Sequence, residues 1–178
     1  MRVEEPAVRQ ALGNLCEVVG ERPHPEPNPR AEQSSWWPRL TDEARTLYLW
    51  LPENGLTLPG ANEPWLAPLD EQDRLREGYV GLPWTERLIL VDEGGFPAFQ
   101  QLGGPSAVLF QDPTVLRGQA QPVLTLAPNL TAFLRGLKAY ALLRSVEEVD
   151  WKTLPARLVH ADGPLAEHVE SWRAWLGV

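Results

Sequence analysis

Eighteen prolines punctuate a chain of 178 residues, about twice the usual frequency, and they set the scale of the elements it can form. Each ring fixes φ and removes a backbone donor, so the composition predicts many turns and rigid connections in place of long uninterrupted helices. The prolines are spread along the chain with large apolar residues between them, and 43% of residues are hydrophobic. That is ordinary globular usage. A chain of this length can bury about 70% of its unfolded surface, enough for one domain with a real core.

Between the prolines the periodicity is local and readable. Residues 3–19 carry Val8, Leu12, Leu15 and Val19 on one helical stripe, with Gly20 as the stop. Residues 21–35 hold Pro23, Pro25, Pro27 and Pro29 in alternate positions. They predict an extended polyproline connector that offers no core residue. A short helix follows with Thr41 as N-cap, Asp42 and Glu43 at its positive end, and Leu47, Tyr48 and Leu51 facing inward. Asn54-Gly55 turns the chain, a loop with Pro59, Pro64 and Pro68 follows, and one or two helical turns span about Asp70 to Glu77.

The middle of the chain alternates short apolar runs with turn formers: "RLILV", "DEGG", "FPAFQQL", "GGPS", "AVLFQD". This is the pattern of consecutive antiparallel strands. "QPVLTLAP" adds another strand with Val123 and Leu124 or Leu126 inward. The period then becomes helical, with Asn129 as cap and Leu130, Phe133, Leu134, Leu137 and Leu142 on one face. A last helix is expected after Pro164, with Leu165, Val169, Trp172 and Leu176 on its apolar side. Strands in a run followed by a helix predict an α+β fold: an antiparallel sheet of about four to six strands, with helices packed around it. The chain divides into an N-terminal helix (1–20), the connector (21–35) and a single domain (36–178) with a C-terminal helical extension.

Charge and cysteine usage narrow the functional classes. The net charge is −8, with acids and bases intermixed and no Lys/Arg cluster, which argues against direct nucleic-acid binding. An acidic surface instead suits solubility or a basic protein partner. Cys16 is the single cysteine; on an apolar helical stripe it reads as a small core residue. "MRVEEPAVRQ" lacks the pattern of a signal peptide, and no apolar run has the length of a membrane span. The expected setting is the cytoplasm.

Catalytic constellations are missing from the pattern. No GxSxG, HExxH, HxH or calcium loop occurs, and the three histidines, His24, His160 and His168, lie in separate segments. Asp92 and Glu93 before Gly94-Gly95 suit a turn after a strand. Their alternative is an oxygen-ligand metal site, with His160 assisting, in a metal-dependent hydrolase. The glycines at 103 and 104 precede a strand and not a helix, which disfavours a phosphate loop. No cofactor, metal or catalytic residue is therefore expected. Among Trp65, Trp84, Trp151, Trp172 and Trp175, the reading gives Trp84 to a sheet edge and Trp172 to the core. Trp65, in the proline-rich loop, is the candidate exposed anchor.

"REGYVGLPWTERLILVDEGGFPAFQQLGGPSAVLFQD" followed by "LTLAPNLTAFLRGL" resembles the core of the SUKH (SMI1/KNR4) superfamily, over roughly residues 40–140. Trp84 leads into the strand "LILV", a glycine turn follows, the next strand returns from Gly104 to Val108, and "LAPNLTAFLRGL" closes the unit. "LYLWLPENG" upstream matches the opening helix and turn. The resemblance implies an α+β fold, no catalytic residues, and a protein-binding role. In many bacterial members that role is immunity against a cognate toxin, so the implied partner is a basic toxin domain. A structural accessory subunit is the plainer alternative. The partner-binding residues expected are Trp65 as aromatic anchor and the acids Asp70, Glu71, Asp92 and Glu93 at the sheet rim. Partner identity and oligomeric state are left open by the sequence.

Overall fold

Six strands cross a single antiparallel sheet in the order in which they occur along the chain. The computed structural model describes residues 4–60, 63–79, 82–92, 97–111, 122–144 and 168–176. The strands are β1 (Leu56–Thr57), β2 (Trp65–Leu66), β3 (Arg87–Asp92), β4 (Ala98–Gln101), β5 (Val108–Gln111) and β6 (Val123–Ala127). The last four are the apolar runs read from the sequence. The helices are α1 (Pro6–Val19), α2 (Pro29–Gln33), α3 (Asp42–Trp50), α4 (Gln72–Glu77), α5 (Leu82–Thr85), α6 (Leu130–Arg144) and α7 (Val169–Leu176). The fold is α+β, as expected.

The end signals act as read. Gly20 takes a left-handed conformation (φ 76°) and closes α1, with Glu21 N–H donating to the Cys16 carbonyl at 2.8 Å. The Thr41 hydroxyl accepts from Ala44 N–H at 3.2 Å, and the Asn129 side chain accepts from Ala132 N–H at 2.8 Å. Glu43 does more than face its own helix dipole: its carboxylate accepts from Leu130 N–H at 3.1 Å and so ties α3 to the start of α6.

The main core lies on one face of the sheet. Leu88 and Leu90 of β3, Phe110 of β5 and Leu126 of β6 pack there against α1, α3, α6 and α7. Alternation along β3 sends Ile89 to the other face, where it joins Ala67 and Leu75 beneath Trp65, Tyr79 and Trp84. The sheet thus carries helices on both faces, which explains why "RLILV" is buried throughout instead of alternating. Trp172 pins α7 in place, donating from Nε1 to the Leu126 carbonyl at 2.7 Å and packing 5.9 Å from Phe133. Trp84 covers Phe99 of β4 edge-on at 5.6 Å.

Four expectations need correction. The segment 21–35 contains α2 and contributes the buried Ala31. It is also fastened to α3, since His24 N–H donates to Trp50 O and Asn28 N–H to Leu49 O, each at 2.9 Å. Its alternate prolines gave no hint of partners that lie outside the segment. The loop after Asn54-Gly55 holds two strands, β1 and β2, too short for any sequence period. Val123 is 45% exposed, because it pairs with Gln111 on the opposite side of the sheet from Leu124 and Leu126. Leu142 is 47% exposed; five residues past Leu137, it sits about 140° round the helix, and Tyr140 and Ala141 continue the buried stripe.

Cys16 is fully buried in the core, as its position on the stripe predicts. Burial, reinforced by the nearby Glu21 charge and partly offset by a backbone hydrogen bond, pushes its thiol from 9.0 up to about 11. At pH 8 the native thiol is therefore expected to react with a disulfide reagent at least about a hundredfold more slowly than the guanidinium-unfolded chain. Equal rates in a timed thiol titration would contradict this burial.

Candidate protein-binding face at the β2–β3 corner

Trp65 stands at the centre of a row that crosses three strands. Its register partners are Thr57 on β1 and Asp92 on β3, and directly opposed residues in antiparallel strands present their side chains on the same face. The indole is half-buried and fixed: Nε1–H donates to the Asn54 carbonyl at 2.9 Å. Gly55 makes that approach possible. Its φ is 73°, and a Cβ there would lie 2.3 Å from the Leu66 carbonyl oxygen and 2.7 Å from Trp65 Nε1. The Asn-Gly pair read as a simple turn is therefore also the seat of the tryptophan.

Asp92 ends β3 half-exposed, and its Oδ1 accepts from the Tyr79 hydroxyl at 3.3 Å. Burial first, and then the Asp92 charge and hydrogen bond, push the Tyr79 phenol well above its ordinary value. The Tyr79 ring stacks on Trp84 with centroids 4.5 Å apart. Glu71 pairs with Arg74 one turn along, and the Arg74 guanidinium lies 5.7 Å from the Trp65 ring centroid. The structure thus brings Trp65, Glu71 and Asp92 into one corner. Asp70 stays outside it, exposed in the tight turn over Leu69–Glu71 and sharing a cleft with Asn28, Arg30 and Tyr48. Glu93, His160, Trp151 and the expected Gly94-Gly95 turn lie outside the described residues.

No protein family, no characterised protein and no solved structure matches this chain. What the corner can do rests on its own chemistry. It offers two carboxylates, an indole and a guanidinium on a strand-and-helix support, which is recognition chemistry. Among the described residues no group of three His, Cys, Asp or Glu side chains gathers closely enough to hold a metal ion, and no helix is long and apolar enough to cross a membrane.

Residues that sequence reasoning missed hold the corner together. Gln72 is fully buried, and its carboxamide pairs with both backbone groups of Ile89, donating to the carbonyl at 2.7 Å and accepting from the N–H at 3.0 Å. Arg74 was within reach of the sequence, because Glu71 and Arg74 have the spacing of a helical ion pair. Tyr79 carried no signal. Nor did a second aromatic–cation assembly nearby, in which Trp36 lies between Arg76, 3.7 Å from its centroid, and Arg39, 5.3 Å away. Trp36 Nε1–H donates to Asp73 at 3.2 Å, Arg39 pairs with Glu86 at 2.8 Å, and Arg76 donates to the Arg87 carbonyl. Burial and the neighbouring Arg39 cation pull the Arg76 guanidinium below its ordinary value.

Replacing Gln72 with Ala leaves the buried Ile89 N–H and carbonyl without partners. The expected loss is about 2–6 kcal/mol, at about 1–3 kcal/mol for each of the two orphaned groups, read from urea unfolding. A loss below about 1 kcal/mol would mean that Ile89 finds other partners.

Proposed function

We propose that this chain is a non-catalytic protein-binding module, acting as a SUKH-like immunity protein toward a basic toxin domain. The observation that carries the reading is the fixed Thr57–Trp65–Asp92 row, with Glu71 and Arg74 beside it. A half-exposed indole whose polar edge is already satisfied offers its apolar face without a desolvation cost at Nε1. Carboxylates around such an anchor steer a basic partner and fix its register. The net charge of −8 extends the same bias over the whole molecule. The sheet-and-helix architecture is compatible with the superfamily that the strand and glycine spacing resembles.

The test is affinity capture from lysate of the source organism, using the wild-type chain beside a double variant, Glu71→Gln with Asp92→Asn. One basic protein, retained near one-to-one by the wild type, is expected to lose association rate by about tenfold with the variant, and to associate more slowly as salt rises. Failure to retain any specific protein, or equal kinetics for both chains, would remove this reading.

A further inference from the structure

Next to Thr57, where the sheet ends at β1, an open groove of about 370 Å3 lies between the end of α1, the backbone from Thr57 to Gly60, and α6. Val18, Val19, Leu58, Pro59 and Ala141 give it an apolar lining, and Glu63 stands on its lip. Its volume is at the low end of ligand-sized cavities, about 300–1,000 Å3. That is room for one or two side chains and not for a folded element. With β1 only two residues long and Pro59 following it, the edge is a poor template for an added strand. Recognition there runs through side chains.

Glu63 is the one described non-glycine residue at positive φ, 43°, a conformation that costs of order 1 kcal/mol or more and collects at functional sites. Its described flanks are tied by backbone bonds. Leu58 N–H donates to Pro64 O at 2.7 Å and Glu63 N–H to Gly60 O at 3.2 Å. Gly60 lies so close to α6 that a Cβ would stand 2.6 Å from the Tyr140 hydroxyl. The Glu63 carboxylate is exposed and enters no salt bridge with another described residue. Exposed Glu17 and Glu21 lie beside Val18 and Val19 in the chain, and the Arg144 guanidinium of α6 stands beside Gly60, 3.5 Å from where a Cβ there would be. An apolar floor under an exposed carboxylate is complementary to an apolar side chain beside a cation.

We propose that the groove receives a segment of a protein partner in which an apolar residue is followed by Lys or Arg. The apolar side chain enters between Val18, Leu58 and Ala141, and the cation pairs with Glu63. This rests on the protein-binding reading and deepens it: Thr57, on the groove wall, is the register partner of Trp65, so the groove and the Trp65–Asp92 row meet at the edge strand β1 from opposite faces of the sheet.

The test selects a random dodecapeptide phage library on the immobilised full-length chain, then measures the enriched peptides against wild type and Glu63→Asn. Asparagine tolerates positive φ and removes the charge with a single methylene, so the variant keeps the fold, as circular dichroism verifies. Enriched peptides are expected to share an apolar residue followed by Lys or Arg and to bind the variant at least fivefold more weakly. They are expected to shift the amide resonances of Val18, Val19, Leu58 and Glu63 in the labelled protein. No enrichment, peptides without a basic residue, or equal affinity for Glu63→Asn would overturn the groove assignment. Shifts confined to Trp65 and Asp92 would also overturn it while leaving the protein-binding reading standing. Capture of no partner together with no enrichment would remove both.

Discussion

The carboxamide of Gln72 occupies the place of a missing strand. β2 meets β3 only near Val91 and Asp92, and one residue on, Ala67 N–H still reaches the Leu90 carbonyl. At Ile89 the ladder has run out, and a buried N–H and carbonyl remain to be satisfied. Gln72 supplies one donor and one acceptor at once, a pairing that no apolar residue and no shorter amide could make from the same position. The bond sets α4 against β3, brings Leu75 over Ile89, and carries Glu71 and Arg74 up beside Trp65. The geometry of the candidate face thus follows from one amide on the far side of the sheet from the main core.

A second organising feature is the use of aromatic rings as counter-surfaces for arginine. Arg9 lies 3.6 Å from the Trp50 ring centroid, and Arg87 stands 4.7 Å from Trp84 and 4.2 Å from Phe99. Arg87 is only 7% exposed and donates to Gln111 at 2.7 Å instead of to a described carboxylate. Burial lowers its pKa accordingly. Arg9, Arg39 and Arg74 instead remain at the surface, each pairing with a carboxylate as well as lying over a ring.

What could be read from the sequence was what the chain decides locally. The α1 stripe and its Gly20 stop, the Thr41 and Asn129 caps and the four apolar strands each depend on residues within a few positions of one another. β1, β2 and α2 are two to five residues long and form because something distant receives them: β3 for β2, and the last carbonyls of α3 for the segment leading into α2. The candidate face shows the same division. Trp65, Glu71 and Asp92 could be named as surface acids and an aromatic, but their meeting is a matter of register across β2 and β3. The groove draws on α1, the end of β1 and α6, and its one local mark, a glutamate in a glycine-like conformation, is invisible in a list of residues.

The packing of α1 has a consequence for how the chain comes to be folded during synthesis. The apolar stripe of α1 rests mainly on α6, with α3 a smaller neighbour. At about 5–20 residues per second, the interval between release of Val19 and release of Leu130 is roughly 5–20 s. Throughout it Val8, Leu12 and Leu15 have no lasting cover. Helix α1 is thus made well before the helix that buries it, and the nascent chain meanwhile carries an exposed hydrophobic surface that a ribosome-associated chaperone is suited to shield.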